Sequence, residues 1–78
     1  MTPHEARETI KVKFPVFLNR DMARVSCKGK TLIVTGDIMA VRAIDKYVMQ
    51  GIYPIYCKVP AIQESAGKST YTYNFERI

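Results

Sequence analysis

No apolar run in this chain approaches the roughly 20 residues needed to cross a bilayer. Glu5 and Glu8 precede the first apolar stretch, unlike a secretory leader. The expectation is a soluble, cytoplasmic protein with no membrane contact. The two cysteines, Cys27 and Cys57, show no CxxC spacing, and each falls inside a predicted strand, so they read as core thiols rather than zinc ligands or a redox pair. His4 is the single histidine and lies near a terminus with no evident nucleophile or carboxylate partner. The seven acidic residues are scattered, which gives neither a carboxylate dyad nor a metal cluster. Ala66-Gly67-Lys68-Ser69 carries the closing residues of a phosphate-binding loop, but the required first glycine falls at Ile62 and the following residues read as strand. No enzymatic activity, metal or cofactor is expected.

What is present is the composition of a folded chain. With 78 residues, 47% of them hydrophobic and 24% charged, the sequence supports one small domain. At this size folding buries only about 60% of the unfolded surface, so a partner or a second copy would add burial.

The firmest pattern runs from Met22 to Gly51. Ala23, Val25 and Cys27 alternate with Arg24, Ser26 and Lys28, Gly29 reverses the chain, and Leu32 and Val34 face the core from the returning strand. Gly36 and Asp37 end that strand, with Asp37 placed to cap a helix from about residue 38 to 50. Ile38, Val41, Ile44 and Val48, with Ala40 and Tyr47, form its apolar stripe. Arg42, Asp45 and Lys46 point outward, and Gly51 stands as terminator.

The N-terminal segment supports two readings. Thr2, Pro3 and Glu5 form a capping box that starts a short helix, with residues 1–9 otherwise frayed. Ile10, Val12, Phe14, Val16 and Leu18 alternate strictly, which predicts a strand over about residues 10–18 at the sheet margin because of Pro15. The alternative extends the helix to Phe14, with Ala6, Ile10 and Phe14 on one face. At the other end, residues 52–59 read as a strand closed by Pro60, residues 63–68 as a polar loop, and residues 70–77 as a strand with Tyr71, Tyr73 and Phe75 on one face. The predicted class is α+β: a mainly antiparallel sheet in the order β-ββ-α-ββ, one helix on one face.

Positive charge is segregated. Residues 10–36 hold Lys11, Lys13, Arg20, Arg24, Lys28 and Lys30 against Asp21 alone, a local balance of +5 that equals the net charge of the whole chain. If the first three strands share a sheet, Lys11, Lys13, Arg24 and Lys28 form a basic face opposite the core, with Lys30 at the hairpin tip, suited to phosphate. Against this, lysines on strand faces also keep small domains soluble and guard exposed edges.

Tyr53, Tyr56, Tyr71 and Tyr73 are candidate stacking or partner anchors, set against a core role with hydroxyls at the rim. Met22, Met39 and Met49 fill core gaps or, where exposed, contact a partner. The expected function is binding without chemistry: a basic sheet face that engages nucleic acid or a nucleoprotein complex. The alternative is a protein-binding inhibitor or adaptor of mobile-element (phage-like) type, for example one blocking a bacterial defence complex, a class suggested by size alone. Edges near Pro15 and Pro54 leave open a homodimer.

Overall fold

Thr2 closes both halves of its capping box. Glu5 N–H donates to Thr2 Oγ1 at 3.1 Å, and Thr2 N–H donates to Glu5 Oε1 at 3.0 Å. With Pro3 preset for the first turn, helix α1 runs Pro3–Lys13 in this computed structural model, which describes residues 2–77. Pro15 then opens a separate short helix, α2, over Pro15–Asn19. The strand expected at residues 10–18 is therefore corrected to helix. Ala6 and Ile10, four apart, are fully buried, whereas Val12 and Val16 of the alternating set are exposed. Helical spacing governs burial here, and the period-2 pattern was incidental to it.

Strands β1 (Ala23–Lys28) and β2 (Thr31–Asp37) form the expected hairpin, with Cys27 opposite Leu32 and Val25 opposite Val34. Gly29, at φ 59°, supplies the left-handed residue that a two-residue turn needs. Gly36 is constrained from outside. A Cβ there would press on Met22 O and lie 2.7 Å from Ala23 Cα, in a backbone with φ 149°.

Helix α3 spans Ile38–Gly51, so Gly51 lies in its last turn rather than beyond it, and Ile52 is the cap. Asp37 occupies the N-cap position but makes no side-chain cap. Its carboxylate takes Lys68 Nζ instead, while the Ile38 amide donates to Gly67 O.

Residues 52–60 are not a strand. Pro54 and Pro60 remove ladder donors, and the segment's pairing is limited to an isolated bridge between Cys57 and Arg77. The strand forms one step later and runs into the stretch expected as a loop from residue 63: β3 is Ala61–Ser65, joined through Ala66-Gly67, both at positive φ, to β4, Lys68–Asn74.

The result is an α+β fold with a four-stranded antiparallel sheet in the order β1-β2-β4-β3. Helix α1 packs on β1 and β2, and α3 on β2 and β4, so two main helices cover one face where one was expected. Between them lie the fully buried Ile10, Leu32, Val34, Val41, Ile44 and Tyr73. Strand β3 has no helix over it, and none of its residues is buried. No helix among the described residues is long and apolar enough to cross a membrane.

Candidate functional site

The fold divides the expected basic face. Arg24 and Lys28 alternate with the core-facing residues of β1 and stand on the open face of the sheet, but Lys11 and Lys13 lie on α1, on the helix side. Lys11 Nζ is 3.5 Å from Glu8, and Lys13 Nζ sits 5.6 Å from the centre of the Tyr47 ring. Arg24 makes a two-point pair with Asp21 at 3.0 and 3.3 Å, which holds the Asp21 carboxyl below its ordinary range. Only Lys28 and Lys30, on either side of Gly29, remain together without a carboxylate partner among the described residues.

The tyrosines separate in the same way. Tyr53, Tyr71 and Tyr73 are core residues. The Tyr53 hydroxyl donates to the carbonyls of Lys58 and Asn74, pinning the irregular segment against β4. The Tyr73 hydroxyl donates to Asp45 Oδ1 at 2.6 Å. The core reading thus applies to these three. Tyr56 alone is a surface residue, half exposed, with the Arg77 guanidinium 4.9 Å from its ring centre.

Most of the acids are occupied internally. Glu5 caps α1, Glu8 takes Arg7 and Lys11, Asp21 takes Arg24, Asp37 takes Lys68, Glu64 takes Arg42, and Asp45 takes Tyr73. Among the described residues seven cations then lack a carboxylate partner: Lys13, Arg20 and Lys46 lie on or beside the helices, whereas Lys28, Lys30, Lys58 and Arg77 fall in one region. The Phe75 amide donates to Lys30 O, and Cys57 bridges Arg77, so the hairpin tip, the segment around residue 57 and the end of the chain converge. A shallow cavity of about 370 Å³ opens there, lined by Thr2, Lys30, Tyr56, Phe75, Glu76 and Arg77. Glu76 is its one acid.

From this end runs the open face of the sheet, which carries hydroxyl and amide groups. Its cross-strand rows are Arg24, Thr35, Thr70 and Gln63, then Ser26, Ile33, Thr72 and Ala61. Thr35 and Thr70 share a hydroxyl hydrogen bond of 2.9 Å. An antiparallel sheet bearing polar groups on its uncovered side is stable against water, and it offers donors and acceptors to a ligand.

Other candidates fall outside this region. His4 is exposed, with Arg7 as its neighbour at 3.4 Å. Gly67 forms the β3–β4 turn and Lys68 begins β4, so the phosphate-loop fragment is a hairpin. Among the described residues no group of three potential metal ligands comes together. Cys57 is buried and Cys27 half-buried, both as free thiols.

Sequence reasoning missed Lys58 and Arg77, because nothing in their spacing reveals that residue 57 meets residue 77. Comparison with protein-family models, with curated proteins and with solved structures finds no match to this chain.

Proposed function

We propose that the protein binds nucleic acid, free or within a nucleoprotein complex, through the basic end formed by Lys28, Lys30, Lys58 and Arg77. These cations contact phosphates, and the exposed face of Tyr56 accepts an unpaired base. The supporting observation is the placement of charge: six of the seven acids have partners among the described residues, and two cations without one, Lys30 and Arg77, line a single cavity with the exposed Tyr56. The action is occupancy, with phosphate contacts supplying affinity and little base discrimination. Lys11 and Lys13 stand apart from this surface and serve as controls.

The test is fluorescence anisotropy with labelled single- and double-stranded DNA and RNA, from low to physiological salt. A Lys28→Ala/Lys30→Ala/Arg77→Ala variant should bind more weakly. Its slope of log affinity against log salt should flatten by about 0.7 per lost contact on a single strand. A Lys11→Ala/Lys13→Ala variant should match wild type. Absence of binding at low salt counts against the reading.

One observation favours the alternative of a protein-binding inhibitor or adaptor. Ile55 is fully exposed beside Pro54 and the half-exposed Met49, around a cavity of about 220 Å³. A contact made there would persist in salt that abolishes phosphate binding, and Ile55→Asp would remove it.

A further inference from the structure

The two edges of the sheet are treated differently. Strand β1 carries Arg24 and Lys28 in alternate positions, and α2 packs against it, which are ordinary protections against edge pairing. Strand β3, Ala61–Ser65, has no lysine, arginine or proline, no cover, and the half-exposed Ile62. Its one charge, Glu64, is neutralised by Arg42 at 3.0 Å and accepts from Ser69 Oγ at 3.0 Å. The edges expected near Pro15 and Pro54 do not exist, since neither proline lies in a strand.

The hairpin geometry defines what this edge presents. Ser65 and Lys68 flank a two-residue turn and so bond each other. Gln63 and Ala61 then also face β4, leaving the N–H and C=O groups of Ile62 and Glu64 directed away from the sheet. We propose that β3 is a self-association edge: two copies pair antiparallel about Gln63 and extend the four-stranded sheet to eight strands across a two-fold axis.

That register is self-complementary. Ile62 of each copy meets Glu64 of the other as a hydrogen-bonded pair, giving four backbone bonds. The two Gln63 amides, each both donor and acceptor, face one another on the axis. The exposed apolar residues fall at opposite ends of the edge. Val59 precedes β3, while Met39 lies one residue beyond Ile38, whose amide bonds the turn residue Gly67. Antiparallel pairing sets the Met39 end of one copy beside the Val59 end of the other, twice over. An unrelated extended peptide would gain the backbone bonds but not this repeated apolar match, so a second copy is the favoured occupant.

Sedimentation equilibrium from about 10 μM to about 1 mM, a range that captures weak association, should show the mass rising from the 8.9 kDa of one chain toward twice that value. Amide exchange at Ile62 and Glu64 should slow with concentration. Gln63→Lys places like charges on the axis and should weaken association at least about tenfold; its side chain lies on the open face, so circular dichroism should be unchanged. Gln63→Cys in a Cys27→Ser background should cross-link on oxidation, because residues facing each other in a non-hydrogen-bonded pair have Cα atoms about 4.5 Å apart. A wild type that stays monomeric overturns the proposal and leaves the edge to a strand of another protein. So does a dimer that Gln63→Lys leaves intact.

Discussion

The Tyr73 hydroxyl donates to Asp45 Oδ1 at 2.6 Å, joining the middle of β4 to a side chain of α3 that helical periodicity alone assigns to solvent. Arg42, on the same side of α3, reaches Glu64 of β3. Two of the three polar residues expected to point outward are thus fastened to the sheet. Removing the Tyr73 hydroxyl with Tyr73→Phe should cost about 1.5–3 kcal/mol, the range for a hydrogen bond to a charged group. Asp45→Ala should cost a similar amount. Urea denaturation of the two single variants and the double should reveal coupling: the double should fall well short of the sum, since each single change removes the same bond.

The same phenol predicts an alkaline limit to stability. Burial, followed by the Asp45 carboxylate, pushes the Tyr73 pKa far above its ordinary value of 10.0. Burial also raises that of Tyr53. In the unfolded chain both ionise near that ordinary value, while in the folded chain Tyr73 keeps its proton and Tyr53 holds its proton more tightly than when unfolded. The contribution is therefore complete below pH 10 and is lost as pH rises beyond it, because the unfolded state then binds fewer protons. Denaturation midpoints measured from pH 8 to 11 should fall on the alkaline side, and Tyr73→Phe should fall less steeply than wild type.

Ile10 and Val12 distinguish the helix from the strand first expected. In a strand they would share a face and respond alike to truncation. In α1 Ile10 is fully buried and Val12 is 82% exposed. Ile10→Ala should cost about 2–5 kcal/mol, as for other buried isoleucines, whereas Val12→Ala should lie within about 0.5 kcal/mol of wild type. Thermal or chemical denaturation of the two variants decides it.

What made the N-terminus ambiguous was a true coincidence of periods: Ile10 and Phe14 satisfy both spacing by two and spacing by four. The capping box at Thr2 and Glu5 held the decisive information, since a strand makes no use of it. The hairpin at Gly29 and the stripe of α3 were legible because their signals are local. The position of β3 was not, because Ile52, Tyr53 and Val59 have strand propensity, yet Ile52 and Tyr53 are buried as anchors ahead of Pro54 and Val59 stands exposed in the irregular segment before Pro60. Of the candidate site, Lys28 and Lys30 were legible through their adjacency at the turn. Lys58 and Arg77 depend on the bridge between Cys57 and Arg77, a contact across the chain that no window of sequence contains. The same contact moved the candidate surface from a sheet face to one end of the molecule.

Tyr56 carries the distinction between a surface that only attracts phosphate and one that also holds a base. Its ring is half exposed, with Arg77 on one side at 4.9 Å, and Lys30 lines the same cavity. A base stacked on an aromatic ring contributes about 1–3 kcal/mol and needs an unpaired strand, whereas phosphate contacts serve duplex and single strand alike. Tyr56→Ala should therefore weaken single-stranded binding by about 5- to 150-fold, the equivalent of one such stack, and leave duplex binding and the salt slope nearly unchanged. Tyr56→Phe should retain wild-type affinity, because stacking uses the ring and not the hydroxyl. Equal losses on single and double strands for Tyr56→Ala would show instead that the ring serves to hold Arg77 in place for phosphate, since the cation–ring contact is common to both complexes.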